Sequence, residues 1–111
     1  MKKHRSDMTA EELTRIDQRL SELKPVLTEY AFYKMQEKGV KEFPCLSGSV
    51  VIEFNTEGGD TRVLLRQKSG LCFVMSLHSG NIITVYQNEA ADMHHHTLHR
   101  EQYSKSLKAE W

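Results

Sequence analysis

The chain has 111 residues, 39% of them apolar and 27% charged, which is the composition of one soluble globular domain rather than a disordered or membrane-embedded chain. Fifteen Lys and Arg balance fifteen Asp and Glu, so no global positive field draws the protein onto nucleic acid, and an RNA or DNA role needs a local patch. No apolar run approaches the roughly 18 residues of a spanning helix, and "MKKHRSDMTAEE" lacks the apolar segment of a signal peptide, so no membrane partner and a cytoplasmic location are expected.

The first element predicted is an amphipathic helix over 9–24, "TAEELTRIDQRLSELK". Thr9 and Glu12 form a capping-box pair, and Leu13, Ile16, Leu20 and Leu23 recur at helical spacing on one face. Pro25 interrupts that pattern. A second helix is predicted over 27–38, "LTEYAFYKMQEK", with Thr28 as its cap and Gly39 as its stop. Tyr30, Phe32, Tyr33 and Met35 on this helix read as core and core rim, with Lys34 emerging beside them. Cys45 and Cys72, 27 positions apart in apolar settings and without a CxxC partner, read as buried reduced thiols.

Over 49–87 the apolar period becomes two. "SVVIEFN", "TRVLLRQ", "GLCFVMSL" and "NIITVYQ" are separated by short Gly-containing links that join antiparallel neighbours. The expected fold class is therefore α+β: two N-terminal helices packed on a four-stranded antiparallel β-meander, with a short C-terminal helix over 97–108 capped by Thr97. "LCFVMSL" and "NIITVY", apolar on both faces, are expected to be central, and "VVIEFN" to lie nearer an edge. Strand alternation puts Arg62, Leu64 and Arg66 on one side and gives Thr84 and Tyr86 a shared side on the last strand.

The segment "DMHHHTLHREQY", 92–103, concentrates four histidines. His95 and His99 at helical i, i+4 spacing share one face, close enough for one metal ion. A third ligand such as Asp92, His94 or His78 is needed, no HExxH motif supplies one, and neither a metal nor a cofactor is assigned. General acid–base chemistry asks for less: a histidine near neutral pKa, a cation for developing charge, and a hydroxyl. His95 or His96 with Thr97 and Tyr103, and Arg62 or Arg66 on a strand, meet that request, which is the set used in metal-independent RNA cleavage. The bland alternative is a solvated loop of imidazoles beside a half-exposed strand.

The run from "LTEYAFYKMQEKGV" through "RVLLRQKSGLCFVMSLHSGNIITVYQN" to "HHTLHREQY" resembles a class of small bacterial and phage domains. In that class an "H-A-x-x-R-M-x-E-R-G-I" helix precedes a meander ending "T-V-Y-x-N" and then "D-N-H-x-T-L-x-x-x-x-Y". The resemblance spans Leu27 to Tyr103 and links the chain to the RelE, barnase and EndoU-like ribonuclease group, whose members are often toxins. It implies two helices on an antiparallel sheet and places His95 or His96 with Thr97 at the "H-x-T" position and Tyr103 at the terminal tyrosine. Thr84 and Tyr86 take the strand motif, and Lys34 stands where the helix motif has arginine. Glu29 or Tyr30 replaces that motif's leading histidine, and Asp92 is followed by Met93.

Two functions are therefore expected from different classes. One is a metal-independent RNA-cleaving or RNA-binding protein, toxin-like, with His95, His96, Thr97 and Tyr103 at the reacting phosphate and Lys34, Arg62, Arg66, Thr84 and Tyr86 holding substrate. The other is a non-enzymatic phage or mobile-element module that binds a host protein or a cognate inhibitor.

Overall fold

The computed structural model describes residues 2–87. Its first helix, α1 (Ala10–Glu22), begins where local chemistry dictates. The Thr9 hydroxyl accepts from the Glu12 N–H, and the Glu12 carboxylate accepts from the Thr9 N–H at 2.8 Å, which together satisfy two otherwise orphaned donors. Pro25 biases Lys24 away from helical backbone and ends the element. Ile16 is the buried anchor of α1, with Leu20 and Leu23 packed against the same core.

Instead of continuing into a second helix, the chain runs straight for two residues as β2 (Val26–Leu27) before α2 (Glu29–Glu37). Thr28 is the joint. Its hydroxyl donates to the Ile82 carbonyl at 2.9 Å and accepts from the Ala31 N–H at 3.1 Å, so one side chain both fixes the strand and caps the helix. Gly80 makes the approach possible: with φ of +81°, a Cβ there would stand 2.7 Å from the Lys24 carbonyl oxygen.

The remaining strands are β3 (Val50–Glu57), β4 (Asp60–Arg66), β5 (Leu71–Ser76) and β6 (Asn81–Gln87). The β3–β4 hairpin turns through Gly58 and Gly59, both at positive φ, as a tight two-residue hairpin with right-handed strand twist requires. At the amino terminus β1 (Lys2–His4) pairs antiparallel with β3.

The expected four-stranded antiparallel meander is thus corrected to a six-stranded mixed sheet in the order β1-β3-β4-β5-β6-β2, with β2 parallel to β6. Strands of two or three residues carry no readable period, which is why "KKH" and "VL" gave no strand signal. The same finding moves β3 from the expected edge to an interior position, between β1 and β4. The expected C-terminal helix over 97–108 lies outside the described residues.

The helices cover one face of the sheet. Ile16 and Met35 meet Val51, Phe54, Val63, Leu65, Phe73, Met75, Ile82 and Val85 in a single apolar core. Lys3 on β1 ties this layer to α1 through a 3.0 Å ion pair with Glu12. Two expectations fail within the helix layer. Only Ala31 and Met35 of α2 are buried, while Tyr30, Phe32 and Tyr33 are exposed. Cys45 is also exposed, its N–H held by the Gln67 side chain at 2.8 Å, whereas Cys72 is buried.

Candidate functional site

The face of the sheet turned away from the helices carries the concentration of ionisable groups. Registers fix its layout. Glu53 lies opposite His4 on one side and Leu64 on the other, and Leu64 is followed across the sheet by Val74 and Thr84. The row on one side runs Asn55, Arg62, Ser76; the row on the other runs Arg66, Cys72, Tyr86. A bulge between Val51 and Glu53 sets this phase: the extra residue in β3 makes Glu53 the register partner of Leu64, while Ile52 packs with Leu64, Cys72 and Val74 on the same face.

Four residues assigned to substrate from the sequence therefore share one face: Arg62, Arg66, Thr84 and Tyr86. Lys34 does not join them. It stands on α2, in the opposite layer, with its ammonium 3.5 Å from the Glu37 carboxylate and 5.7 Å above the Tyr30 ring. His95, His96, Thr97 and Tyr103, together with the metal alternative at His95 and His99, lie outside the described residues. Among the described residues no group of three or more His, Cys, Asp or Glu is placed to hold a metal ion.

The structure adds members that sequence reasoning missed. Glu53 is fully buried, and His4, Asn55, Arg66 and Ser76 are each no more than 5% exposed. Diagonal neighbours on adjacent strands stand about 7 to 8 Å apart at the backbone, so Glu53 is within side-chain reach of both Arg62 and Arg66. The His4 ring accepts from the Ser6 N–H through Nδ1 at 3.0 Å, which leaves Nε2 as the proton-bearing nitrogen of the neutral ring. At the other end Asp60 binds the Ser76 hydroxyl at 2.9 Å and the Arg62 guanidinium at 3.4 Å, anchoring Arg62 beside the cluster. A buried carboxylate amid His and Arg is the kind of arrangement that functional sites show and simple cores avoid.

No family model, curated protein or solved structure matches the chain. The site's own chemistry therefore carries the functional argument. Among the described residues no helix is long and apolar enough to cross a membrane.

Two other features complete the surface. An open groove of about 490 Å³ runs between α1 and the β3–β4 hairpin, floored by Ile16, Phe54 and Leu77 and rimmed by Arg15 and His78. Arg19 closes one end by donating to the Leu77 and His78 carbonyls at 2.7 and 3.1 Å. On the opposite side of the helix layer, exposed Tyr30, Phe32, Tyr33 and Phe43 form an aromatic surface, with the Phe32 and Phe43 rings stacked at 6.3 Å.

Proposed function

We propose that the chain is a metal-independent RNA-cleaving or RNA-binding protein whose chemistry belongs to the sheet face opposite the helices. The observation that carries the reading is the convergence of Arg62, Arg66, Thr84 and Tyr86 with buried Glu53 and His4 on that one face. Cleavage by an internal 2′-hydroxyl needs a base for its proton, an acid for the leaving oxygen and cations for the phosphate. Glu53 or one of His95 and His96 serves as the base, the other imidazoles as the acid, and Arg62 and Arg66 hold the phosphate oxygens. Thr84, Tyr86, Thr97 and Tyr103 orient the nucleotide. Half-buried Arg62, Thr84 and Tyr86 are the members of the face that a nucleotide meets first.

The test is incubation of chelator-treated protein with a single-stranded RNA of defined sequence, beside Glu53→Gln and a His95→Ala, His96→Ala double variant. Cleavage in the parent and its loss in both variants is the expected result. Intact RNA with the parent removes the enzymatic reading, and failure of the parent to retain the RNA even at low salt removes the binding one.

The exposed aromatic side chains of α2 and the segment that follows it favour a second reading, a non-enzymatic module that docks on a host or cognate protein. Aromatic side chains are enriched at the centres of protein interfaces, and four of them exposed together exceed the scatter of single apolar residues on an ordinary surface. A pull-down from bacterial lysate that returns one stoichiometric protein, and loses it with Tyr30→Ala, Tyr33→Ala, selects this reading over the first.

A further inference from the structure

Among the described residues, the helix-side core comes nearest to water along the groove between α1 and the β3–β4 hairpin. Ile16 and Phe54 are each 6% exposed and Leu77 is 8% exposed, and no other buried member of that core exceeds 3%. These three side chains floor the groove, so the core opens there as an apolar strip. The volume of about 490 Å³ falls within the roughly 300 to 1,000 Å³ of small-molecule sites. From Glu12 to Arg19 the rise of α1 gives the groove a length of roughly 10 Å.

Its rim is positively charged. Arg15 and Arg19 lie one helical turn apart on the groove side of α1, and His78 lines the groove from the β5–β6 turn. The one acid on the rim is already paired: both Glu12 carboxylate oxygens stand 3.0 Å from the Lys3 ammonium, and one also accepts from the Thr9 N–H. Arg19 is preorganised. It donates through Nε to the Leu77 carbonyl at 2.7 Å and through Nη2 to the His78 carbonyl at 3.1 Å, and these bonds fix the guanidinium without neutralising it. Its ion pair with Glu22 is 3.5 Å long and exposed, so donors on both terminal nitrogens are left for a ligand among the described residues. Arg15 pairs with Glu11 at 2.7 Å, but the two side chains are 73% and 80% exposed, so an incoming carboxylate replaces Glu11 at little cost.

We infer that this groove binds a small amphipathic carboxylate. Its apolar body, a ring with a short chain, lies on Ile16, Phe54 and Leu77, and its carboxylate sits between Arg15 and Arg19. The guanidinium fork matches the two carboxylate oxygens, and the apolar floor desolvates the rest of the molecule. A nucleotide fits less well, because its sugar and phosphates need polar partners along a floor that offers none. The groove is on the helix side of the sheet, so this binding is independent of any RNA chemistry on the other face.

The test is titration of the isotopically labelled full chain with phenylbutanoate, phenylbutanol and phenylbutylamine, followed by amide NMR shifts. Saturable shifts at 15–19, 54–61 and 77–78, with a phenylbutanoate Kd on the order of 1 mM or tighter, are expected. The alcohol should bind at least about threefold more weakly, and the amine more weakly still. Arg19→Met should weaken phenylbutanoate by about tenfold and Arg15→Glu by about threefold or more, with binding of the alcohol unchanged in both. Where Arg19→Met does not fold, Arg15→Glu, at an exposed position, decides alone. The inference is overturned by the absence of saturable shifts up to about 20 mM, by equal affinity for acid and alcohol, or by unaltered binding to Arg15→Glu. Shifts centred on the aromatic surface of α2 overturn it as well. So do groove shifts that follow protein concentration with no ligand added, which mark a second copy as the occupant.

Discussion

The two faces of this sheet both bury their central side chains, and they are chemically unlike. The helix side is apolar throughout, from Val51 and Phe54 to Val85, and it follows the alternation expected of strands beneath amphipathic helices. The far side buries Glu53, Asn55, Arg66 and Ser76 among Leu64, Val74 and Cys72. Hydrophobic burial drives assembly of the first face. The second must desolvate ionised groups, and several kcal/mol per ion is the usual order of that penalty before partners offset it. Stability alone does not call for charged groups there, which is why the proposed site lies on the far side.

The largest effect that sharpens this contrast is a cavity in the helix-side core. Phe73→Ala should lower unfolding free energy by about 3 to 5 kcal/mol, measured by urea denaturation, because the ring is fully enclosed between α-helical and sheet side chains. A cost below about 1 kcal/mol contradicts the assignment of that face as the source of stability.

Next comes the joint that holds β2 on the sheet. Gly80→Ala combines positive φ with a Cβ pressed 2.7 Å from the Lys24 carbonyl oxygen, and a loss of about 1 to 3 kcal/mol is expected. Amide exchange at Val26 and Thr28, whose N–H groups bond Gly80 and Ile82, should rise more than exchange on β4. Equal acceleration everywhere shows that β2 is not the element disturbed.

A smaller effect tests the α1 cap. Thr9→Ala should cost about 1 kcal/mol in thermal or chemical denaturation. The Thr9 N–H, and after it the Lys3 ammonium, hold the Glu12 carboxyl below its ordinary pKa. A depressed folded-state pKa means that the contribution is complete above the ordinary carboxylate range and disappears as pH falls through the folded value. The melting-temperature gap between parent and Glu12→Gln should therefore narrow on acidification. A gap that widens on acidification reverses the sign of this linkage.

Much of the layout is legible in the sequence where a regular period or a cap writes it. Thr9 and Thr28 are the caps, and the two-residue alternation of "TRVLLR" puts Arg62 and Arg66 on one face. What cannot be read depends on partners distant along the chain. β1 and β2 exist because β3 and β6 offer free edges, not because "KKH" or "VL" favours strand. Glu53 reaches the buried far side only because a bulge shifts β3 by one residue and β1 covers its other flank. Tyr30 and Tyr33 look like core at helical spacing, but α2 has nine residues and turns only Ala31 and Met35 inward. Lys34 fails to reach the arginines for the same reason, since the helix puts it in the other layer.

The smallest expected change in stability gives the sharpest test of function. Replacing Glu53 and Arg66 together, as Glu53→Leu with Arg66→Met, removes opposite charges from one buried face while keeping volume. Such exchanges are commonly neutral or stabilising. The decisive measurement is RNA cleavage by chelator-treated parent and double variant, with melting temperatures taken on the same preparations. The account predicts cleavage by the parent and its loss in a variant that melts no lower. Equal cleavage by both, or intact RNA with both, contradicts it.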